Sequence, residues 1–217
     1  MQRKDLIDKT IGLYADAGWK RWFSRIRFWD APYIEVEKLV PAKGTIVDLG
    51  CGEGIFTNYL GLAGSHRKVL GIEIDEERVG QADRGVKNVS FKRGNAVTAS
   101  IPKCDCIVIF HLLHHLPSYS DQEKVLHKAK KALNKGGVLI IVEVDIKPSI
   151  KYLIAWFTDH FLVPWIFEKR LYSPIYFRKR KDWINLLNEM GFSVGARSAE
   201  AGMPFSHIIF TCEPKQQ

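Results

Sequence analysis

From Thr45 onward the apolar and polar positions follow two periods in turn. Ile46–Leu49, Val69–Ile72, Cys106–Phe110 and Val138–Val142 are short, largely apolar runs, the pattern of strands buried on both faces. Between them, helical spacing covers about residues 54 to 63, 76 to 85 and 121 to 134, and Lys135-Gly136-Gly137 supplies a helix stop after the last. Strand and helix in alternation predict a doubly wound α/β sheet, mostly parallel, with right-handed crossovers. The order then changes. A helix over Asp182–Met190 ends at Gly191, and extended runs at Phe192–Ser198 and Phe205–Cys212 flank a turn at Gly202-Met203-Pro204. That predicts a C-terminal antiparallel hairpin added to the parallel sheet. The chain divides into a helical cover (1–44), a core (45–145), a lid or substrate insertion (146–180), and a final helix and hairpin completing the core (181–217).

Chemistry concentrates in Val47-Asp48-Leu49-Gly50-Cys51-Gly52-Glu53-Gly54, where a strand runs through a glycine-rich turn into a helix. Glycines permit the tight turn and let a ligand approach without meeting a Cβ. A dinucleotide fingerprint beginning at Gly50 requires glycine at 55, and Ile55 stands there. Asp48 and Glu53 flank the turn; they repel a pyrophosphate and attract a cofactor carrying an ammonium and a sulfonium. Glu73 ends the second run, 23 positions after Gly50, where a carboxylate accepts both hydroxyls of a ribose laid across the strand ends. Asp75 is read as the cap of the following helix.

These residues resemble the class I S-adenosylmethionine-dependent methyltransferases, well over about residues 40 to 145 and loosely over 181 to 212. The resemblance implies a Rossmann-like, seven-stranded fold and S-adenosyl-L-methionine as cofactor. By position, Gly50 and Gly52 pass under its methionine part, with Cys51 between them a small buried residue. Asp48 approaches the ammonium, Glu73 holds the ribose, and Ile74 and Ala96 border the nucleoside. Asn95 stands where the family often has an aspartate near the adenine amino group; its amide oxygen accepts the same hydrogen bond more weakly. His111 falls where the family contacts cofactor and substrate.

Methyl transfer depends mostly on holding donor and acceptor in line, with a base needed only for a protonated nucleophile. His111, His114 and His115 place three of the seven histidines at one mouth of the sheet. His115 matches the position where certain phosphobase methyltransferases look to have a catalytic histidine paired with a tyrosine from the N-terminal cover, a part open here to Tyr14. The plainer reading is that an imidazole here bonds backbone and orders the loop. No cysteine or carboxylate lies at a spacing that makes the trio a metal site.

Composition adds a partner question. The 217 residues carry a net charge of +8, a globular composition with a basic surface. Cys51, Cys104, Cys106 and Cys212 include no CxxC pair, so no disulfide framework is expected and a reducing, cytoplasmic setting is. Cys104 and Cys106 are expected on different faces of their strand. The charged N-terminus does not read as a secretory signal, and no apolar run reaches the roughly 18 to 20 residues that span a bilayer. Residues 19–29 hold four cations, five aromatics and no acid. On a helix, Trp19, Trp22, Phe23 and Ile26 form an apolar stripe apart from most of the cations, suited either to an anionic membrane surface or to packing on the domain. Tyr152–Phe157 and Phe161–Phe167 are apolar aromatic blocks, followed by the basic run Arg178-Lys179-Arg180-Lys181. Together they predict an entrance for a small amphipathic, lipid-like or aromatic acceptor, formed either with peripheral membrane contact or as a purely intramolecular lid. The charge also admits an RNA methyltransferase, although no RNA-binding module is appended. A non-catalytic cofactor-binding subunit is the third reading.

Overall fold

The computed structural model describes residues 3–15, 19–146, 175–199 and 206–215. Three helices lead: α1 (Arg3–Gly12), α2 (Trp19–Asp30) and α3 (Tyr33–Glu37). The core then runs β1 (Lys43–Leu49), α4 (Ile55–Ala63), β2 (His66–Glu73), α5 (Glu76–Ala82), β3 (Val89–Arg93) and β4 (Cys104–Phe110). A 3-10 turn (Leu113–His115), α6 (Tyr119–Ala132), β5 (Leu133–Val144), α7 (Arg180–Glu189), β6 (Phe192–Ala199) and β7 (His207–Pro214) complete it. The strands lie in the order β3-β2-β1-β4-β5-β7-β6. β1 to β5 pair in parallel, and β7 is antiparallel to both β5 and β6. This is the expected mostly parallel, doubly wound sheet with its closing hairpin.

Alternation along the strands sorts the core into two layers. Val47, Leu49, Ile107, Ile109, Leu139 and Ile141 face α6 and α7, where Val125, Leu126, Trp183 and Leu187 are buried. Ile46, Val108, Phe110, Ile140 and Val142 face α4 and the N-terminal cover. Such strands have no solvent face, so their apolar runs are unbroken. Cys104 and Cys106 fall in opposite layers. A regular strand would turn residues two apart to the same side, and the register shift between them separates the two thiols.

The cover is bound to the α4 face. Tyr33 stacks on Phe56 at 4.8 Å and meets Phe110 edge-on at 5.1 Å. Arg67, only 4% exposed, pins the link between cover and core: it donates to Glu37 at 2.9 Å and to the carbonyls of Pro41, Val40 and Leu60.

Two sequence expectations are corrected, and the basic run proves partly engaged. Helix α6 stops at Ala132 because Leu133 turns extended (ψ 136°), and Gly136, at φ +77°, bends the first residues of β5 rather than ending the helix. On α2, Phe23 and Phe28 turn toward the core while Trp22 and Trp29 are exposed at 67% and 60%, so Trp22 leaves the expected apolar stripe. In the basic run, two of the four cations are engaged inside the fold. Arg178 donates to Gln122 and Glu123, and Arg180 to Ser198 and the Ala196 carbonyl. The aromatic blocks at 152–157 and 161–167, most of the expected lid, and the turn at 202–204 lie outside the described residues.

Candidate functional site

Reading outward from β1, the chain goes to β2 on one side, while β4 pairs on the other. A crevice opens beyond the carboxyl ends of the strands at such a switch point. Gly50 and Cys51 donate their backbone N–H groups to the Ile72 carbonyl at 2.7 and 3.2 Å, which hooks the glycine turn onto the end of β2. Gly50 has φ +81°, and a Cβ there would lie 2.9 Å from Leu112 in the loop after β4. Gly52 also has positive φ (+54°), yet a Cβ there would meet nothing within 4 Å. One glycine is required by packing beneath the turn; the other borders open space.

Two carboxylates close the far side. Asp48, 1% exposed, accepts a 2.6 Å hydrogen bond from the Thr57 hydroxyl at the start of α4. Burial pushes its carboxyl up from 3.8 to about 7, the Thr57 bond opposing and the charge of Glu73 adding to the rise. Glu73, 7% exposed, accepts the N–H of Gly52 at 3.0 Å, and those of Ile74 and Asp75 at 2.9 and 3.1 Å. Among the described residues neither carboxylate has a Lys or Arg partner. Glu53, expected as the second charge at the turn, is paired with Arg78 at 3.5 Å. The partner charge to Asp48 is Glu73. Asp75 is the expected helix cap, accepting from the N–H of Arg78.

The neighbouring positions fit a nucleoside. Ile74, directly after Glu73, is 56% exposed, one of four large apolar side chains left so open among the described residues. Ala96 is buried. Asn95 is exposed, and its amide oxygen already accepts the Val97 N–H at 2.8 Å, so a base held there would share that oxygen with a local turn. Burial and the charges of Asp48 and Glu73 hold the Cys51 thiol well above its ordinary range, although the residue is only partly buried rather than fully so as expected.

The histidines separate by partner. His114 is buried and its Nδ1 is joined to Glu143, whose other oxygen accepts the N–H of Leu113 at 3.1 Å. His115 is half-buried, packs its ring 4.2 Å from that of His114, and donates its backbone N–H to the Leu112 carbonyl. His111 has φ +51°, the single positive-φ residue other than glycine among those described, and its Nε2 lies 3.0 Å from Nδ1 of His207. Burial first, then the charges of His207, Arg27, His114 and His115, hold His111 well below the usual imidazole range.

Tyr14 is fully buried under the glycine turn, where its hydroxyl donates to the Glu53 carbonyl at 2.9 Å and accepts from Asn58 at 3.0 Å. No contact joins it to His115 among the described residues, and the expected tyrosine–histidine pair is not assembled. Sequence reasoning missed His207 and Glu143. Glu143 sits in the apolar run of β5, where a buried acid is a signal in itself. His207 lies 96 residues from His111, beyond any spacing rule.

These residues fit S-adenosyl-L-methionine. Asp48 would meet its ammonium and Glu73 its ribose, Gly52 would leave room for its amino-acid part, and Ile74 would flank the base. The cofactor supplies an electrophilic methyl group on a sulfonium. Among the described residues no group of three or more His, Cys, Asp or Glu is gathered as a metal site.

Comparison with known proteins agrees. A methyltransferase-domain family model matches residues 19–196. The 2-ketoarginine methyltransferase of Streptomyces arginensis is 29% identical over 173 residues, 73% of this chain and 49% of that protein, so the chain spans about half the length of this relative. Among solved structures, the complex of DhpI with SAH superposes with a TM-score of 0.68 at 19% identity, covering 100% of both chains. The magnesium protoporphyrin IX methyltransferase of Synechocystis, with bound SAH, gives 0.64 at 18% identity over 93% of this chain and 97% of that one. At these identities the structural likeness is one of fold. With the family model spanning most of its length and the glycine turn, Asp48 and Glu73 in place, the chain belongs to the class I S-adenosylmethionine-dependent methyltransferase family, whose cofactor is S-adenosyl-L-methionine.

Proposed function

We propose that the chain transfers a methyl group from S-adenosyl-L-methionine to a small amphipathic acceptor, in the cytoplasm and against an anionic membrane surface. The observation that carries the first part is the pair of buried carboxylates, Asp48 and Glu73, with no Lys or Arg partner among the described residues. Such a pair favours a cationic ligand, because a buried charge without a partner is costly. The second part rests on α2. Trp22 and Trp29 stand two helical turns apart and are both exposed, and Arg21 and Arg25 are exposed beside them. Aromatic rings at the acyl boundary and guanidinium groups among anionic headgroups are the chemistry of an interfacial helix. No helix among the described residues is long and apolar enough to cross a membrane. The relatives named above take their names from 2-ketoarginine and magnesium protoporphyrin IX, compounds of unlike chemistry, and the fold does not choose between them.

Calorimetric titration with S-adenosyl-L-methionine tests the cofactor half, and absence of binding at millimolar ligand overturns it. Incubation of lipid and metabolite extracts with methyl-labelled cofactor tests the acceptor. Label in an amphipathic small molecule supports the reading; label confined to added tRNA moves the acceptor to nucleic acid. Flotation with anionic liposomes at low salt tests the surface. A Trp22→Ala, Trp29→Ala protein should stay behind when the parent floats, and a parent that stays in the soluble fraction removes the membrane from the proposal.

A further inference from the structure

The left-handed backbone at His111 is a conformation that costs a non-glycine residue about 1 to 2 kcal/mol. It is held at both ends. Its N–H donates to the Val142 carbonyl at 2.9 Å, and its ring lies 22° from parallel to that of His207 with Nε2 3.0 Å from Nδ1 of that ring. His207 opens β7, is 1% exposed, and sets its Nε2 2.6 Å from the backbone carbonyl oxygen of Asp30, the last residue of α2. A carbonyl only accepts, so His207 Nε2 carries the hydrogen. In a neutral imidazole the other nitrogen is then an acceptor. His207 Nδ1 takes the hydrogen on His111 Nε2, and the lone pair of His111 is left on Nδ1.

We propose that His207 is a positioning residue which fixes the tautomer of His111, so that His111 presents a bare Nδ1 to the methyl acceptor. This rests on the methyltransferase reading above. In the step it serves, the acceptor's proton moves to His111 Nδ1 as the acceptor's lone pair bonds the methyl carbon. The carbon–sulfur bond breaks with its electrons left on sulfur, and the positive charge of the sulfonium passes to the imidazolium, so charge is conserved.

Titratable groups facing His111 come from each element packed on it: His207 on β7, Arg27 on α2, and His114 and His115 on the 3-10 turn, with Glu143 taken up by His114. Asp30 carries a carboxylate that is paired with Arg27 at 3.2 Å. Among the described residues the one hydrogen-bond partner of the His111 ring is an imidazole. A second positive charge there is disfavoured, which keeps the lone pair available near neutrality.

Histidine-selective ¹⁵N NMR on the cofactor-free protein reads the tautomer directly. We expect His111 as the Nε2–H form in the parent protein, both tautomers in exchange in His207→Leu, and the parent pattern in His207→Gln, whose amide both donates and accepts. The inference is overturned by an Nδ1–H or mixed His111 in the parent protein, a measurement that needs no variant to fold. It is equally overturned by a His207→Leu protein whose His111 spectrum and titration are unchanged. Calorimetry on the same samples separates the two claims. The dissociation constant for S-adenosyl-L-methionine should move less than about threefold in either variant. A parent protein with the expected tautomer and no cofactor binding would refute the enzymatic reading alone.

Discussion

Asp48→Asn tests whether the crevice is preset for a cation. In the folded, cofactor-free protein burial raises the Asp48 carboxyl from 3.8 to about 7. The native state therefore keeps a proton that the unfolded chain releases, and Asp48 makes stability decline as the medium rises from about pH 4 to about pH 7. A shift of about three units corresponds to about 4 kcal/mol once the carboxyl is fully ionised. Asparagine cannot ionise, yet its amide oxygen can still accept the Thr57 hydroxyl that now reaches Asp48 at 2.6 Å. The variant should match the parent near pH 4 and exceed it by roughly 3 to 4 kcal/mol near pH 8 in urea unfolding. Binding should run the other way. If the ligand's ammonium requires the ionised carboxylate, the parent's dissociation constant should weaken about tenfold between about pH 8 and about pH 6. The variant should bind more weakly throughout and without that slope. Unfolding free energies of parent and variant that differ by the same amount at both pH values would refute the reasoning, because burial would then not act on this group.

Gly52→Ala should fold with a loss of about 1 kcal/mol for its positive φ, since a Cβ there meets nothing, while its cofactor affinity falls more than about tenfold; unaltered affinity by calorimetry removes the turn from the site. Tyr14→Phe deletes the hydroxyl between Glu53 and Asn58 and should lower unfolding free energy by about 1 to 2 kcal/mol, with labelled-methyl turnover kept within a few-fold. A hundredfold loss of turnover with an unchanged melting temperature would restore a catalytic tyrosine. Arg67→Met strands Glu37 and three carbonyls and should cost about 3 to 5 kcal/mol in chemical unfolding.

The parallel core was legible because its strands have no wet face: a strand that is buried on both sides declares itself by composition alone, as Cys106–Phe110 and Val138–Val142 do. The glycine turn and Glu73 were legible because their chemistry is local, a strand end followed by a turn. Side-chain direction on α2 was not. Periodicity grouped Trp22 with Phe23 and Ile26, but the cover meets the core along Phe23 and Phe28, a choice made by where Tyr33, Phe56 and Phe110 stack. The basic run after the insertion read as part of an entrance for the acceptor, whereas Arg178 lies 4.5 Å from the centre of the Tyr119 ring and donates to Gln122 and Glu123. A guanidinium's partners are set by tertiary neighbours more than 50 positions away, and no local pattern encodes them.

The same limit governs the histidines, and it decides how the mouth of the sheet divides its work. In the sequence His115 leads as a base, His111 follows as a contact to cofactor and substrate, and His114 is the least distinguished of the three. In the fold His114 is tied to Glu143, and that carboxylate also takes the N–H of Leu113. This imidazole anchors the loop whose Leu112 packs under Gly50. His111 meets another imidazole, on a backbone conformation that only a second set of bonds makes tenable. Negative charge gathers on one side of the switch point, at Asp48 and Glu73, and the histidines with Arg27 gather on the other. A cationic methyl donor is drawn to the first side. The group that must hold a free lone pair before the step is kept neutral on the second, where burial and the neighbouring Arg27 and imidazoles oppose its protonation, Asp30 and Glu143 being paired with Arg27 and His114. Because the Asp30 carbonyl ends the relay, the N-terminal cover is part of that second side rather than an accessory packed onto it.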